Sequence, residues 1–196
     1  MDKKGKIYTA ILYTLLIASI ILLVVQNVSG FTGFATEGST YSNVSIQKYL
    51  AINFGNDLAN GIYFGNVATL PATNVNATHN YDGASNATNY YLTVSTDSNS
   101  QVDFCIKANT GLTSAALDVI GLGNETYATN YTSSDLTNPP LSDQLPMNTT
   151  YKKAATGIGV GQTDYWRFWL DIPAGQASGD YNNTVSFKGV TFGNSC

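Results

Sequence analysis

Residues 163–172 read TDYWRFWLDI, and the reading of this stretch decides the fold. Trp166, Phe168, Leu170 and Ile172 recur at every second position, with Tyr165, Arg167, Trp169 and Asp171 between them. A period of two is that of a β-strand, whose successive side chains point to opposite faces. Aromatic and branched side chains also suit a pleated surface. Trp166, Phe168, Leu170 and Ile172 are therefore expected to form a core strand, with Tyr165, Arg167, Trp169 and Asp171 facing outward. Pro173-Ala174-Gly175 and Ser178-Gly179-Asp180 supply turn residues. Tyr181–Phe192 then returns with Val185, Phe187 and Gly189 on one face.

Working back from this strand, Tyr90–Thr96 (YYLTVST) and Gln101–Ala108 (QVDFCIKA) flank the turn residues Asp97-Ser98-Asn99-Ser100. The pattern predicts a hairpin. Val102, Phe104 and Ile106 would face one way, and Asp103, Cys105 and Lys107 the other. Val44–Phe54 (VSIQKYLAINF) reads as a strand with a bulge, Gly61–Val67 (GIYFGNV) as a short strand, and Tyr151–Val160 as a weak one. Leu112–Gly123 fits a short helix or a strand. Residues 68–89, rich in Asn, Ala and Thr, read as a surface excursion, and 124–148 as a second polar stretch, which holds Asn138-Pro139-Pro140. Short strands separated by turn signals, without a repeat of fixed period, predict an all-β fold: a β-sandwich of jelly-roll or immunoglobulin-like type.

Composition agrees. Charged residues make up only 11% of the 196, against about 25% in an ordinary soluble domain. Asn, Thr, Ser, Gly and Tyr take their place, which favours strands and turns. Ahead of the domain, Ile7–Val25 runs without a charge behind Lys3, Lys4 and Lys6. As a helix it would be about 28 Å long, close to the ~30 Å hydrocarbon core of a bilayer. The lysines keep its start in the cytoplasm, so the chain beyond Val25 is exported. Three fates are open: a cleaved signal peptide, cut at Val28-Ser29-Gly30 or Gly33-Phe34-Ala35; a retained membrane anchor; or a type IV pilin-like leader cut after Gly5, with the helix kept as a filament core. The expected layout is residues 1–35 as signal peptide or anchor and 36–196 as one domain. The net charge is −4, and the basic residues of the leader leave the exported part more acidic still. A nucleic-acid partner is not expected, and contact with membrane is expected only through residues 7–25.

Cys105 and Cys196 are the only cysteines. In an oxidising exterior they are expected to form a disulfide, on the outer face or at a sheet edge. The N-x-[ST] pattern marks Asn43, Asn76, Asn86, Asn124, Asn130, Asn148 and Asn182 as glycosylation candidates, most of them in predicted loops. No catalytic set, metal site or cofactor site is read from the sequence, and an enzyme is not expected. His79, the only histidine, reads as an exposed loop residue. Asp57 and Asp82-Gly83 read as turn formers rather than calcium ligands. Tyr165 and Trp169, if outward, would offer a surface for stacking on a sugar.

The C-terminal text Trp166–Val190, with IPAGQASGDY and NNTVSFKGV, resembles the closing hairpin of the TasA/camelysin-like secreted filament subunits, including the archaeal bundling pilins. The leader followed by VSIQKYLAINFGND and GIYFGNV is similar to the start of that group. The disulfide pair and the dense sequons depart from its general pattern. The resemblance implies an extracellular pilus subunit that polymerises with itself by donor-strand complementation; the sequons add the expectation of glycosylation, and neighbouring filaments or cell-surface glycans are expected as further partners. An N-terminal segment of one subunit would pair with an open sheet edge of the next. Here that segment is Thr36–Ile46, with Val44 and Ile46 as the inserting side chains. The alternatives are a type IV pilin-like subunit built on Ile7–Val25, or a monomeric cell-surface carbohydrate-binding domain.

Overall fold

The computed structural model describes residues 3–28, 40–82, 87–129 and 144–196. They fall into two compact units, 1–45 and 46–196. In the first, helix α1 (Lys3–Val28) is continuous over 26 residues. Its hydroxyls bond the helix's own carbonyls: Thr9 Oγ1 to Gly5 O at 2.8 Å, Thr14 Oγ1 to Ala10 O at 3.0 Å and Ser19 Oγ to Leu16 O at 2.9 Å. Those side-chain donors are thus satisfied without water, as a hydrocarbon surround requires. By length and composition Lys4–Val24 can cross a membrane.

The second unit is a β-sandwich. Its strands are β1 (Ile52–Phe54), β2 (Ala72–Asn76), β3 (Tyr90–Val94), β4 (Val102–Ala108), β5 (Leu112–Ser114), β6 (Val119–Ile120), β7 (Glu125–Thr129), β8 (Leu145–Pro146), β9 (Lys152–Ile158), β10 (Thr163–Ile172), β11 (Tyr181–Asn182) and β12 (Val185–Thr191), with a short helix α2 (Asn56–Asn60) after β1. A six-stranded sheet runs β1-β3-β10-β7-β8, with β2 also on β10. Two three-stranded sheets run β12-β4-β9 and β11-β5-β6. Tyr90, Leu92, Trp166 and Phe168 of the large sheet share one core with Val102, Phe104 and Ile106 of β4. A smaller cluster joins Leu170 to Leu112 and Ile120.

β10 spans the residues its alternation predicts and is the axis of the large sheet. Trp166 pairs with both Tyr90 and Thr129, and Trp169 with both Asn76 and Thr126. β3 and β2 therefore share one edge of β10, and β7 takes the other. Between β3 and β2 that edge lacks a strand, and side chains replace it. Asn80, fully buried, accepts from Phe168 N–H at 2.9 Å and donates to Phe168 O at 2.6 Å. Thr88 Oγ1 donates to Trp166 O at 2.6 Å. Buried backbone groups need partners, and Asn80 imitates the missing residue of a ladder.

Several expectations are corrected. The predicted hairpin of residues 90–108 is an arch: β3 lies in the large sheet and β4 in the facing one. Both strands carry complete apolar rows, and stacking face to face buries both at once. Ser95 and Ser98 hold the bend, with Ser98 N–H on Ser95 O and Ser98 Oγ on Ala51 O. Likewise β10 and β12 do not form a closing hairpin, because β12 pairs with β4. Gly189 lets β12 pass beneath β1: a Cβ there would stand 2.9 Å from Ile52 Cγ2. The strand expected over 44–54 is confined to Ile52–Phe54. Residues 47–51 are tied instead to the bend, through Asn99 Oδ1 to Tyr49 N–H and Ser98 Oγ to Ala51 N–H, both 2.9 Å. GIYFGNV is not a strand, since Gly61 and Gly65 take positive φ of 125° and 68° and turn the chain. β2 lies inside the expected 68–89 excursion, and Val75 is the one strongly apolar residue of that strand.

Arg167 and Trp169 do not face solvent: they are 5% and 1% exposed, because β10 is central and covered on both faces. Arg167 Nε donates to Asn80 O, and its guanidinium lies 4.0 Å over the Tyr81 ring. Trp169 therefore cannot stack on a sugar.

Candidate assembly groove

Cys105 and Cys196 are joined by a disulfide, with Cα atoms 6.0 Å apart. Cys105 lies on the outer face of the central strand β4, not at an edge, and is fully buried there. Asp103, two residues back on the same face, accepts from Lys153 Nζ at 2.6 Å, Thr156 Oγ1 at 2.7 Å, Gly157 N–H at 2.8 Å and Gly193 N–H at 3.0 Å. Burial pushes its carboxyl up, but these donors together outweigh it and hold it below the ordinary range. The disulfide and Asp103 thus pin residues 193–196 across the sheet. An apolar N-terminal helix, a β-rich fold and a disulfide fit a secreted or surface protein.

On the side where the six-stranded sheet and the β12-β4-β9 sheet meet at β1 and β12, the sandwich is open. β1 pairs only with β3, and β12 only with β4, so among the described residues each leaves one edge without a partner strand. Phe54 and Phe187 meet edge to face at 5.6 Å. Beside them a groove of about 1320 Å³ runs between residues 61–70 and the connection 176–184. Leu58, Leu112, Ile120 and Leu170 line it. Phe64 packs on both apolar clusters and bridges them. The wall is stiffened by Gln176 Nε2 donating to Tyr181 Oη and by Tyr181 Oη donating to Ala177 O, both 2.8 Å. Glu125, 1% exposed, accepts from Asn183 Nδ2 at 2.6 Å, and burial raises its pKa despite that bond.

The predicted donor residues lie in a segment with neither helix nor strand, residues 40–51. Val44 and Ile46 are each 81% exposed. Residues 36–39, the rest of the candidate donor, lie outside the described residues. In a strand conformation, alternation would put Asn43 and Ser45 on the face opposite Val44 and Ile46. Of the sequons, Asn43, Asn76 and Asn182 are exposed, and Asn124 and Asn148 are half-buried. Asn86 and Asn130 lie outside the described residues.

The structure also gathers residues that the sequence keeps apart. Asp57, His79 and Asp82 each bring a ligand-type atom to within 4.8 Å of the other two. Twenty-odd residues and a strand separate Asp57 from His79, so no motif spacing exposes the cluster. The only sequence signal is the presence of the sole histidine near Asp82. Comparison with known protein families, with curated proteins and with solved structures finds no match to this chain.

Proposed function

We propose that this chain is the structural subunit of an extracellular, glycosylated filament. Residues 36–46 of one copy enter the groove of the next and add a strand at the free edge of β1 or β12. The observation that carries the proposal is the pairing of a donor with an acceptor in one chain. Val44 and Ile46 are exposed and lack a strand partner, while an apolar groove lies beside two open sheet edges. Strand addition supplies backbone hydrogen bonds, and alternate side chains fill pockets. Because donor and acceptor are different surfaces, the contact repeats without closing and generates a filament. The resemblance to TasA/camelysin-like subunits and archaeal bundling pilins carries the same implication. A glycan on Asn43 would sit on the outer face of the inserted strand, compatible with docking. Deleting residues 36–42 should leave soluble monomers in electron micrographs; unchanged filaments would refute this donor.

The uninterrupted α1 favours a second reading, a type IV pilin-like subunit with Ile7–Val25 in the filament core. The mass of the mature protein separates the two. A start at Lys6 supports the pilin, and a start near Phe31 or Thr36 supports strand donation.

A further inference from the structure

We propose that Asp57, His79 and Asp82 form a binding site for one divalent transition-metal ion of the zinc or manganese class, a property separate from filament assembly. Asp57 comes from α2; His79 and Asp82 come from the turn after β2. His79 Nδ1 stands 2.5 Å from Asp82 Oδ2 and 3.8 Å from Asp57 Oδ2. With metal–donor distances of about 2.1 Å, neighbouring donors in a tetrahedral or octahedral shell stand about 3–3.5 Å apart. Small side-chain rotations therefore bring all three atoms to one ion. The backbone beneath them is already set: Asn89 N–H donates to His79 O, and Asn80 is locked onto β10. One imidazole and two carboxylates suit zinc or manganese. Calcium and magnesium prefer all-oxygen shells, and copper(I) prefers sulfur. The side chains of His79, Asp57 and Asp82 are 28%, 31% and 40% exposed, so an ion can reach them and keep water in its remaining positions.

An independent observation points to the same place. Tyr90 is fully buried, and its hydroxyl lacks a well-aligned hydrogen-bond partner, with only the backbone of His79 and Tyr63 close by. Its ring meets the His79 ring edge to face at 5.5 Å. The hydroxyl end lies by the His79 and Tyr63 backbone, and it feels the charges of Asp82 and Asp57. A buried polar group without a well-aligned partner calls for a missing water or ion. Water held on a metal between the three ligands would give the phenol its partner. The ion would also tie α2 to the turn after β2.

The test is calorimetric titration of the whole untagged chain, stripped with EDTA in mild detergent, with zinc chloride and then manganese chloride at pH 7. One ion should bind per chain, and the affinity should fall as pH drops, because protons compete with the ion for its ligand atoms. Asp57→Asn and Asp82→Asn, which keep side-chain shape, should each weaken binding about tenfold or more, and His79→Ala should abolish it. Circular dichroism and melting in EDTA confirm that the variants fold. Two results would overturn the site. One is no binding at millimolar metal, leaving an Asp–His–Asp ion cluster only. The other is binding that the folded variants retain at full strength, which places the ion elsewhere.

Discussion

Where β7 meets β9, the sandwich is stitched shut by polar groups. Thr129 Oγ1 donates to Ala154 O at 3.2 Å, Met147 N–H bonds Glu125 O and Ala108 N–H bonds Asn148 O, both at 2.9 Å, and Met147 is buried. Where β1 meets β12, the contact is the aromatic pair Phe54–Phe187, with Phe54 43% exposed and the groove beside it. The two margins bound the same core, and among the described residues each ends in two strands paired on one side only, β8 and β9 at the first and β1 and β12 at the second; only the second has an open groove beside those edges. A margin closed by hydrogen bonds favours a self-contained domain. A margin closed by apolar contacts alone, Phe54 on Phe187 and Ile52 over Gly189, is suited to being completed from outside.

The largest effect is expected at the open side. Val44→Asp with Ile46→Asp should abolish filaments, because the new carboxylates would be buried against Leu58, Leu112, Ile120 and Leu170 on the groove wall and meet Glu125 and Asp180 of the same lining. The same pair should change monomer stability by no more than about 0.5 kcal/mol, since both side chains are exposed. Electron microscopy and thermal melting read the two halves of this expectation.

Next comes the outer face of β4. Replacing Cys105 and Cys196 together with serine frees a loop of 91 residues. That should cost about 4 kcal/mol in denaturant melts. Any filaments that remain should form by the same contact, because the disulfide lies away from the groove.

Between the margins lies Asp164, 1% exposed on the core face of β10, with both carboxylate oxygens lacking a partner. Burial raises its pKa to about 8, only partly offset by the Tyr165 backbone. An unfolded aspartate titrates near 4. The folded chain therefore holds the extra proton between these values, and this group's contribution falls as pH rises from about 4 to about 8, then levels off. Asp103 acts in the opposite sense: its stabilisation is present above about 4 and is lost as pH falls through its depressed folded value. Asp164→Asn should flatten the fall and raise stability at pH 8 by about 3 kcal/mol in melts across that range. The smallest effect is at the closed side. Thr129→Val removes the stitch to Ala154 and should cost about 1 kcal/mol, a fall of about 2–4 °C in melting temperature.

Much of the architecture is legible in the sequence because it is written locally. The ten residues of β10 carry their own period, and so does the outward position of Cys105 opposite Val102, Phe104 and Ile106. The illegible parts depend on partners distant in sequence. The pattern of residues 90–108 is the same for a hairpin and an arch; only the facing of two apolar rows decides between them. GIYFGNV has the composition of a strand, yet two glycines at positive φ turn it into the groove wall. Trp169 has the pattern of a surface aromatic because strand alternation does not say that both faces of β10 are covered. The residues around His79 read as separate turn formers, because folding alone brings Asp57 to them.

The most direct measurement is photo-cross-linking from a benzophenone side chain placed at position 44, in assembled filaments, read by peptide mass spectrometry. The account predicts cross-links from position 44 of one copy to residues 58–70 or 176–187 of a neighbouring copy. Cross-links confined to one chain, or filaments held together only through residues 7–25, would contradict it.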